Sequence, residues 1–303
     1  MDYIMETRNV SKSYKGKTAV DNVNIHVKRG DIYGFVGPNG AGKSTIMKML
    51  LNLTPPDAGE IYLFGEKVNG RNYEYLKRIG SIIESPCFYE GISARQNLEL
   101  HCDYMGYHNR ERIDEVLELT ALKSDETKKV VHYSMGMKQR LAIARAILTR
   151  PEFLILDEPI NALDPDGIRE MRTLFQRLNR EHGATIFISS HILSEVEQIA
   201  DTIGIIRKGQ LIKEVSLIDI HDYRTEFIEV AVDDVKKAAA LIEQEWNTSN
   251  FVVISDHVLR LFEPELSGKE LSALHVRNGV GLESLGRKRN TLEDYFFALT
   301  EED

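Results

Sequence analysis

The chain has 303 residues and a formal net charge of −9, from 38 Lys and Arg against 47 Asp and Glu. Hydrophobic residues make up 42% and charged residues 28%, which is typical of a globular protein and excludes wholesale disorder. No stretch approaches the ~20 apolar residues that cross a bilayer, and the excess of acid argues against an electrostatic nucleic-acid binder.

The excess negative charge lies near the C-terminal end. Residues 221–303 hold 9 basic and 17 acidic side chains, whereas residues 1–220 hold 29 and 30. Periodicity is also lost over residues 216–225, so we predict a main domain over 1–220 and an acidic accessory domain over 221–303. Cys87 and Cys102 match neither a disulfide framework nor a zinc site, which favours a reducing, cytoplasmic setting.

A strand, a glycine-rich loop and a helix follow one another early in the chain. Residues 31–36 are a short apolar strand and residues 46–51 a helical run. The loop between them reads G-x-x-x-x-G-K-S, a phosphate-binding pattern in the context that it requires. An incidental glycine-rich turn is the alternative. We expect loop amides to surround phosphates, Lys43 to neutralise the β- and γ-phosphates, and Ser44 to ligate Mg²⁺. The candidate residues are Gly37, Pro38, Asn39, Gly40, Ala41, Gly42, Lys43, Ser44 and Thr45.

Helical spacing of apolar residues marks the middle of the chain. It predicts helices over residues 94–105 and 111–120, and another over residues 141–148. Ser134 stands where a helix N-cap belongs, and capping alone would explain it.

Two acids follow the next apolar strand. Residues 153–156 are typical of a strand buried on both faces, and Asp157 and Glu158 come directly after it. Open α/β sheets place ligands at the carboxyl ends of their strands. We expect Asp157 to hold Mg²⁺ and Glu158 to act as general base or to position the attacking water. A solvated acid pair is the alternative.

The remaining elements are one more core strand and an α+β tail. Residues 184–191 form a strand that ends in His191, a residue that is usually structural at such a position. In the tail we predict a strand over 227–232, a helix over 235–246, a hairpin from 251–254 and 258–262, and a closing helix over 291–299.

Residues 133–140, Tyr-Ser-Met-Gly-Met-Lys-Gln-Arg, resemble the signature loop of ATP-binding-cassette (ABC) ATPases. With the phosphate loop, the acid pair and His191 in the family's order, the resemblance covers about residues 1–220. It implies a P-loop α/β fold with a helical subdomain at about 85–150. It further implies a switch role for His191, an adenine-stacking role for Tyr14, and a D-loop at residues 161–164 that includes Asp164. An ordinary strand-end tyrosine is the alternative for Tyr14.

The resemblance also implies how such a chain works. It would bind ATP and Mg²⁺, form a head-to-tail dimer with itself or with a similar chain, and power a separate membrane permease from the cytoplasmic face. Ser134 and Gly136 of one subunit would face the γ-phosphate held by the other. Nucleic acid is not an expected partner. Residues 85–132 would receive the permease, with Phe88, Tyr89, Met105 and Tyr107 as apolar contacts or, equally, as ordinary core.

Three positions depart from the common family pattern. Met135 and Met137 replace a glycine and a glutamine of the signature, and Glu84 replaces a glutamine that senses Mg²⁺ and the γ-phosphate. A carboxylate there keeps an oxygen ligand and adds negative charge beside the cation. Glu84 and the methionine-rich signature look like the ATPases of bacitracin-resistance and lantibiotic-immunity exporters. Export of another substrate, such as a lipid, ion or drug, is the alternative, and a soluble ABC ATPase acting on ribosomes or DNA is a weaker one.

Overall fold

The structure is a computed structural model, and it describes residues 2–70, 72–161, 163–218, 226–263 and 265–289. The chain divides into two units, Met1–Ile218 and Asp219–Asp303. No helix in the described ranges combines the length and the apolar character needed to cross a membrane. The helix predicted over 291–299, and Ala162 of the expected D-loop, lie outside the described residues.

The first unit is built from two sheets and a set of helices. Its strands are β1 (Tyr3–Tyr14), β2 (Lys17–Val23), β3 (His26–Lys28), β4 (Ile32–Val36), β5 (Ala58–Leu63), β6 (Glu66–Lys67), β7 (Ile79–Ile82), β8 (Phe153–Leu156), β9 (Thr185–Ser190), β10 (Thr202–Arg207) and β11 (Gln210–Ser216). Its α-helices are α1 (Lys43–Leu50), α2 (Ala94–Met105), α3 (Glu111–Leu119), α4 (Met135–Ile147), α5 (Pro165–Arg180) and α6 (Leu193–Glu197).

A six-stranded sheet lies at the centre of this unit in the order β11-β10-β4-β9-β8-β7. Strands β10, β4, β9, β8 and β7 run parallel, and β11 pairs with β10 in the antiparallel sense. Alternate residues along these strands enter two different apolar clusters, one on each face of the sheet. Every residue of β4, β8 and β9 is therefore buried, as the continuous apolar sequences of β4 and β8 predict.

A second sheet carries the N-terminal strands. It is antiparallel in the order β2-β1-β5-β6, with β3 also paired to β1. The turn between β1 and β2 is Lys15-Gly16, with φ values of 50° and 80°. Both residues are left-handed, as in the two-residue turns that suit the twist of a hairpin.

Three helices of the middle segment share one apolar cluster: Leu98 of α2, Val116 of α3 and Leu141 of α4 are all in it. The predicted helix over 94–105 matches α2, and the one over 111–120 ends one residue earlier as α3. The third helix was predicted too short. Ser134 caps α4 by accepting a hydrogen bond from the Met137 amide at 3.3 Å, so the helix begins at Met135.

The second unit is a small α+β fold. Its elements are β12 (Glu226–Val232), α7 (Val235–Trp246), β13 (Phe251–Ser255), β14 (Val258–Leu261), α8 (Gly268–Arg277) and β15 (Leu282–Arg289). The sheet order is β13-β14-β12-β15, and every pairing is antiparallel. Val230, Ile242 and Leu271 join the strands and both helices in one core. The predicted strand, helix and hairpin are confirmed, while α8 and β15 are additional.

Candidate active site

The candidate catalytic residues follow neighbouring parallel strands. The phosphate loop follows β4, Asp157 and Glu158 follow β8, and His191 follows β9. In the register of the sheet, Val36 pairs with Ser190, and Leu156 pairs with Ile188. Because parallel strands end at the same edge, one edge of the sheet presents all of these groups.

The backbone of the phosphate loop depends on two glycines. A Cβ atom at Gly37 would lie 2.2 Å from the Ile206 carbonyl oxygen, so no side chain fits there. Gly42 has a φ of 113°, and its Cβ would lie 2.6 Å from the Ala19 carbonyl oxygen. Gly42 also precedes the first residue of α1, so only glycine allows the chain to enter the helix in this way.

Lys43 lies at the centre of the loop. Its side chain is buried, and Nζ donates to the carbonyl oxygens of Gly37 at 2.6 Å and Pro38 at 3.3 Å. The same nitrogen lies 3.3 Å from Oε1 of Glu158. The other carboxylate oxygen of Glu158 is 2.9 Å from Nδ1 of His191. The three residues that sequence analysis assigned to catalysis therefore form one chain of contacts.

Ser189 connects the two acids, and sequence analysis did not single it out. Its hydroxyl donates to Oδ1 of Asp157 at 2.6 Å and accepts from the Glu158 amide at 2.9 Å. Ser189 is fully buried and Asp157 is 6% exposed. A detectable signal was available, because a serine pair interrupts the apolar sequence of β9 just before His191.

The residues at this edge fit a nucleoside triphosphate. No side chain caps α1, so its first-turn amides are free to meet an anion. Within the described ranges, Oε1 of Glu158 is buried and accepts no hydrogen bond, although the charge of Lys43 lies nearby. An oxygen so placed can accept a proton or a hydrogen bond from water.

The donor set also fits Mg²⁺. The described residues contain no group of three or more His, Cys, Asp and Glu side chains suited to a metal ion. Mg²⁺ in nucleotide sites commonly takes one or two protein oxygens and completes its shell with phosphate oxygens and water. Ser44, at the start of α1, and Asp157 offer such oxygens.

Glu84 has a partner that the sequence did not indicate. It lies two residues beyond β7 in left-handed backbone, with a φ of 61°. Oε1 accepts from Nζ of Lys48, on α1, at 2.5 Å. This hydrogen bond lowers the pKa of Glu84 and raises the pKa of Lys48. Glu84 is therefore held against α1, the helix that begins at the phosphate loop.

Tyr14 ends β1, the strand that pairs with β2 beside the loop region. Its side chain is 45% exposed, and the Lys12 ammonium lies 5.6 Å from its ring centroid. An exposed aromatic face of this kind can stack on a base.

A separate groove of about 500 Å³ contains the signature and D-loop residues, including Ser134, Gly136 and Asp164. Asp164 caps α5 by accepting from the Gly167 amide at 2.8 Å. Met135 begins α4 with 59% of its surface exposed. In the described residues, no side-chain hydrogen bond or ion pair joins this group to Lys43, Asp157, Glu158 or His191. A single subunit therefore presents two sets of candidate residues.

Comparisons with known proteins decide the family. The ABC transporter family model matches residues 20–161. The chain is 51% identical to the uncharacterized ABC transporter ATP-binding protein YcbN of Bacillus subtilis (strain 168), over 99% of this chain and 97% of that protein. The chain belongs to the ATP-binding proteins of ABC transporters. It is an ABC ATPase, and the predicted P-loop α/β fold is confirmed.

Two further comparisons concern function and assembly. The ABC ATPase chain is 44% identical to the bacitracin transport ATP-binding protein BcrA of Bacillus licheniformis, over 99% of this chain and 98% of that protein. It also resembles a solved dimeric, post-hydrolysis structure of the ATP-binding cassette MJ0796 bound to ADP and Pi. That match has a TM-score of 0.64 and 27% identity, and covers 70% of this chain and 98% of that one.

Proposed function

We propose that this ABC ATPase hydrolyses ATP to power a separate membrane permease that expels a peptide antibiotic of the bacitracin or lantibiotic type. The contact chain of Lys43, Glu158 and His191, beside Asp157, carries the catalytic part of the proposal. The identity of 44% to a bacitracin transport protein along nearly the whole chain supports the substrate part. The chain would work at the cytoplasmic face of the membrane, bound to its permease.

Hydrolysis assigns a separate role to each residue of the contact chain. The ammonium of Lys43 pairs with the β- and γ-phosphates, whose charge competes with Glu158 for it. Released from Lys43, Glu158 accepts a proton or a hydrogen bond from the attacking water. His191 holds the second Glu158 oxygen at 2.9 Å and faces the γ-phosphate, so it orients both groups.

Residues around the loop hold the rest of the nucleotide. Backbone amides of the loop, among them those of Gly42, Lys43 and Ser44, surround the phosphates, and Tyr14 stacks on the adenine. Ser44 and Asp157 would hold Mg²⁺, with Glu84 at the edge of the shell. When bound, Mg²⁺ would supply positive charge that stabilises the negative charge developing on the phosphates.

The exposed signature groove supports a head-to-tail dimer of this chain or a pair with a similar one. Ser134, Gly136 and the N-terminus of α4 would donate to the γ-phosphate held by the opposite subunit, with Asp164 beside them. Met135 lies in that surface, where the replacement of glycine keeps the backbone amide but adds an apolar side chain. The resemblance to a dimeric cassette supports this arrangement.

Replacement of the base tests the catalytic proposal. Glu158→Gln keeps the shape of the side chain but cannot accept the proton, so we expect ATP hydrolysis to fall about 100-fold or more. ATP binding should persist, and ATP-bound dimers should accumulate on size-exclusion chromatography. Glu181→Gln, an exposed substitution at the end of α5, is the matched control. Hydrolysis at the control rate in Glu158→Gln would contradict the proposal.

The role of Glu84 needs an assay that includes the permease. Glu84→Gln restores the common family residue and removes the negative charge that pairs with Lys48, while an amide oxygen can still accept its hydrogen bond. We expect altered coupling between ATP turnover and antibiotic resistance in cells that carry the permease. If both turnover and resistance stay at the wild-type level, Glu84 has no coupling role.

The same cells test the substrate class. Expression of the chain with its permease should raise the minimum inhibitory concentration of bacitracin or of a lantibiotic, and Glu158→Gln should abolish the increase. Unchanged sensitivity to both, in cells whose complex hydrolyses ATP, would reject the peptide-antibiotic assignment while leaving the ATPase intact.

A further inference from the structure

A cavity of about 350 Å³, which we call the Arg112 cavity, lies at the edge of the six-stranded sheet opposite the candidate active site. Two of its residues come just before β8 and β9, whereas Asp157 and His191 follow the same two strands. Its apolar lining is Ile147, Pro151, Leu154, Leu178 and Ala184. Its polar lining is Arg112, Glu115, Arg150, Glu181 and His182. An occupant of this cavity would therefore leave the phosphate loop free.

Arg112 is the buried charge of this cavity. It lies in the first turn of α3, and its side chain is only 5% exposed. Nη1 donates to Oε2 of Glu115, three residues further along the helix. Nε is buried without a hydrogen-bond partner, and no described residue accepts a hydrogen bond from Nη2. One side of the guanidinium is therefore held, while the other side has donors that lack an acceptor.

The unoccupied side of Arg112 is the edge with which other arginines of this chain bind carboxylates. Arg78 donates from Nε to Oε1 of Glu152 at 2.6 Å and from Nη2 to Oε2 at 2.9 Å. Arg8 binds Glu6 in the same way, at 2.8 and 3.1 Å. The two N–H groups of this edge match the two oxygens of a carboxylate. Arg112 offers the same pair of donors inside a cavity.

The acidic side chains around the cavity do not neutralise its arginines. Oε2 of Glu115 also accepts from Nη2 of Arg150 at 3.3 Å, so one carboxylate pairs with two guanidinium groups. The hydrogen bond from Arg112 lowers the pKa of Glu115, which is therefore charged at neutral pH. Glu181 pairs at 3.5 Å with Arg177, which lies outside the lining. Three arginines thus face two carboxylates, and one positive charge remains even with the histidine neutral.

The rest of the cavity is apolar and limits the size of a ligand. The side chains of Ile147, Leu154 and Leu178 form buried walls from α4, β8 and α5. The volume equals that of about 12 molecules of liquid water, at roughly 30 Å³ each, and so suits a ligand of about that number of non-hydrogen atoms. Apolar walls stabilise an apolar body, and a few polar groups fix its orientation.

We propose that the Arg112 cavity binds a small organic acid that has one carboxylate and a compact apolar body. The carboxylate accepts hydrogen bonds from Nε and Nη2 of Arg112, and the apolar body packs against the side chains from α4, β8 and α5. This inference goes beyond the proposed function, because it requires neither a permease nor ATP hydrolysis and concerns a different edge of the sheet.

Isothermal titration calorimetry of the full-length chain with octanoate, 4-methylpentanoate and 3-phenylpropanoate tests the proposal. We expect at least one acid to bind at one site per chain, and its primary amide to bind about 10-fold or more weakly, because the amide lacks the charge. Arg112→Lys keeps the positive charge but removes the pair of donors, so it should weaken binding by about 10-fold or more. Arg110→Lys is the matched control, since Arg110 pairs with Asp103 at 2.6 Å and lies outside the lining.

A second variant keeps the test decisive if Arg112→Lys lowers the stability of the chain. Ala184→Leu enlarges an apolar side chain of the lining while Arg112 stays in place, and it should also weaken binding of the acid. Equal affinity of the wild type and both variants would overturn the proposal. So would equal affinity for acid and amide, or failure of all three acids to bind the wild type.

Two competition experiments separate the remaining alternatives. Saturating ADP, which occupies the phosphate loop, should not displace the acid; displacement would place the acid in the nucleotide site and refute the proposal. Inorganic phosphate should bind more weakly than the acid, because it has no apolar body to pack against the walls. Tighter binding of phosphate that depends on Arg112 would show that the cavity selects phosphate, and the carboxylate assignment would be wrong.

Discussion

Removal of the Ser189 hydroxyl should destabilise the first unit and misplace both acids. In Ser189→Ala, Asp157 loses a buried hydrogen bond of 2.6 Å, and the Glu158 amide loses its acceptor at 2.9 Å. A hydrogen bond to a charged group contributes about 1.5–3 kcal/mol, and a buried donor left without an acceptor costs about 1–3 kcal/mol. We therefore expect the free energy of unfolding to fall by about 3 kcal/mol or more.

The position of the single tryptophan allows the stability of the two units to be measured separately. Trp246 is in α7 of the second unit, so its fluorescence reports that unit, whereas far-UV circular dichroism reports the whole chain. For a unit of 218 residues, about 3 kcal/mol lowers the melting temperature by roughly 6–12 °C. The circular dichroism transition should move by that amount in Ser189→Ala, and the tryptophan transition should not.

Ser190→Ala is the control for this experiment. Ser190 is the next residue of β9 and is equally buried, but among the described residues its hydroxyl bonds only to the backbone of Ile192. Ser189→Ala should also lose ATPase activity, because Asp157 is no longer held. If Ser189→Ala and Ser190→Ala have the same melting temperature and hydrolyse ATP at the same rate, Ser189 does not position the acids and the reasoning fails.

Two further results are expected from local geometry and charge. Gly42→Ala should abolish ATP binding and lower the urea midpoint further than Gly40→Ala does. Both glycines have positive φ, but of the two only Gly42 would place a Cβ atom against backbone, 2.6 Å from the Ala19 carbonyl oxygen. Equal urea midpoints for the two variants would show that this steric contact does not determine stability. Because the pKa of His101 is lowered in the folded state, the unfolded chain gains the proton first as pH falls below about 6.5. The free energy of unfolding should then decrease as the pH falls from about 6.5 to the pKa of His101 in the folded state. His101→Gln should flatten the dependence of the urea midpoint on pH. A pH profile identical to that of the wild type would show that His101 is not the cause.

Elements with strong local signals were predictable from the sequence. The helix Ala94–Met105 has both apolar periodicity and a capping box from Ser93 and Gln96, so its limits match the structure. Strands β4 and β8 are continuous apolar runs, and the motifs that follow them fix the edge of the sheet. The N-terminal sheet was not predicted, because β1 mixes buried and exposed residues with register shifts in all three of its pairings.

The missed features of the site depend on contacts between distant segments. Lys48 and Glu84 are 36 residues apart, and their pairing follows from the left-handed backbone at Glu84, which no local pattern indicates for a glutamate. Ser189 acts on two acids more than 30 residues away. The capping box of Ser267 and Glu270, by contrast, was a readable signal for α8 that the sequence prediction did not use.

Two adjacent residues, Ile83 and Glu84, face a surface groove and the helix of the phosphate loop, respectively. Ile83 lines a groove of about 360 Å³ beside α2 and α4, and Glu84 pairs with Lys48 of α1, the helix that begins at the phosphate loop. A ligand that shifts the backbone of Ile83 would also shift that of Glu84, because one planar peptide bond joins them. Communication between a ligand in this groove and the nucleotide site would then need no hinge or relay of side chains, and its shortest route would be a single peptide unit.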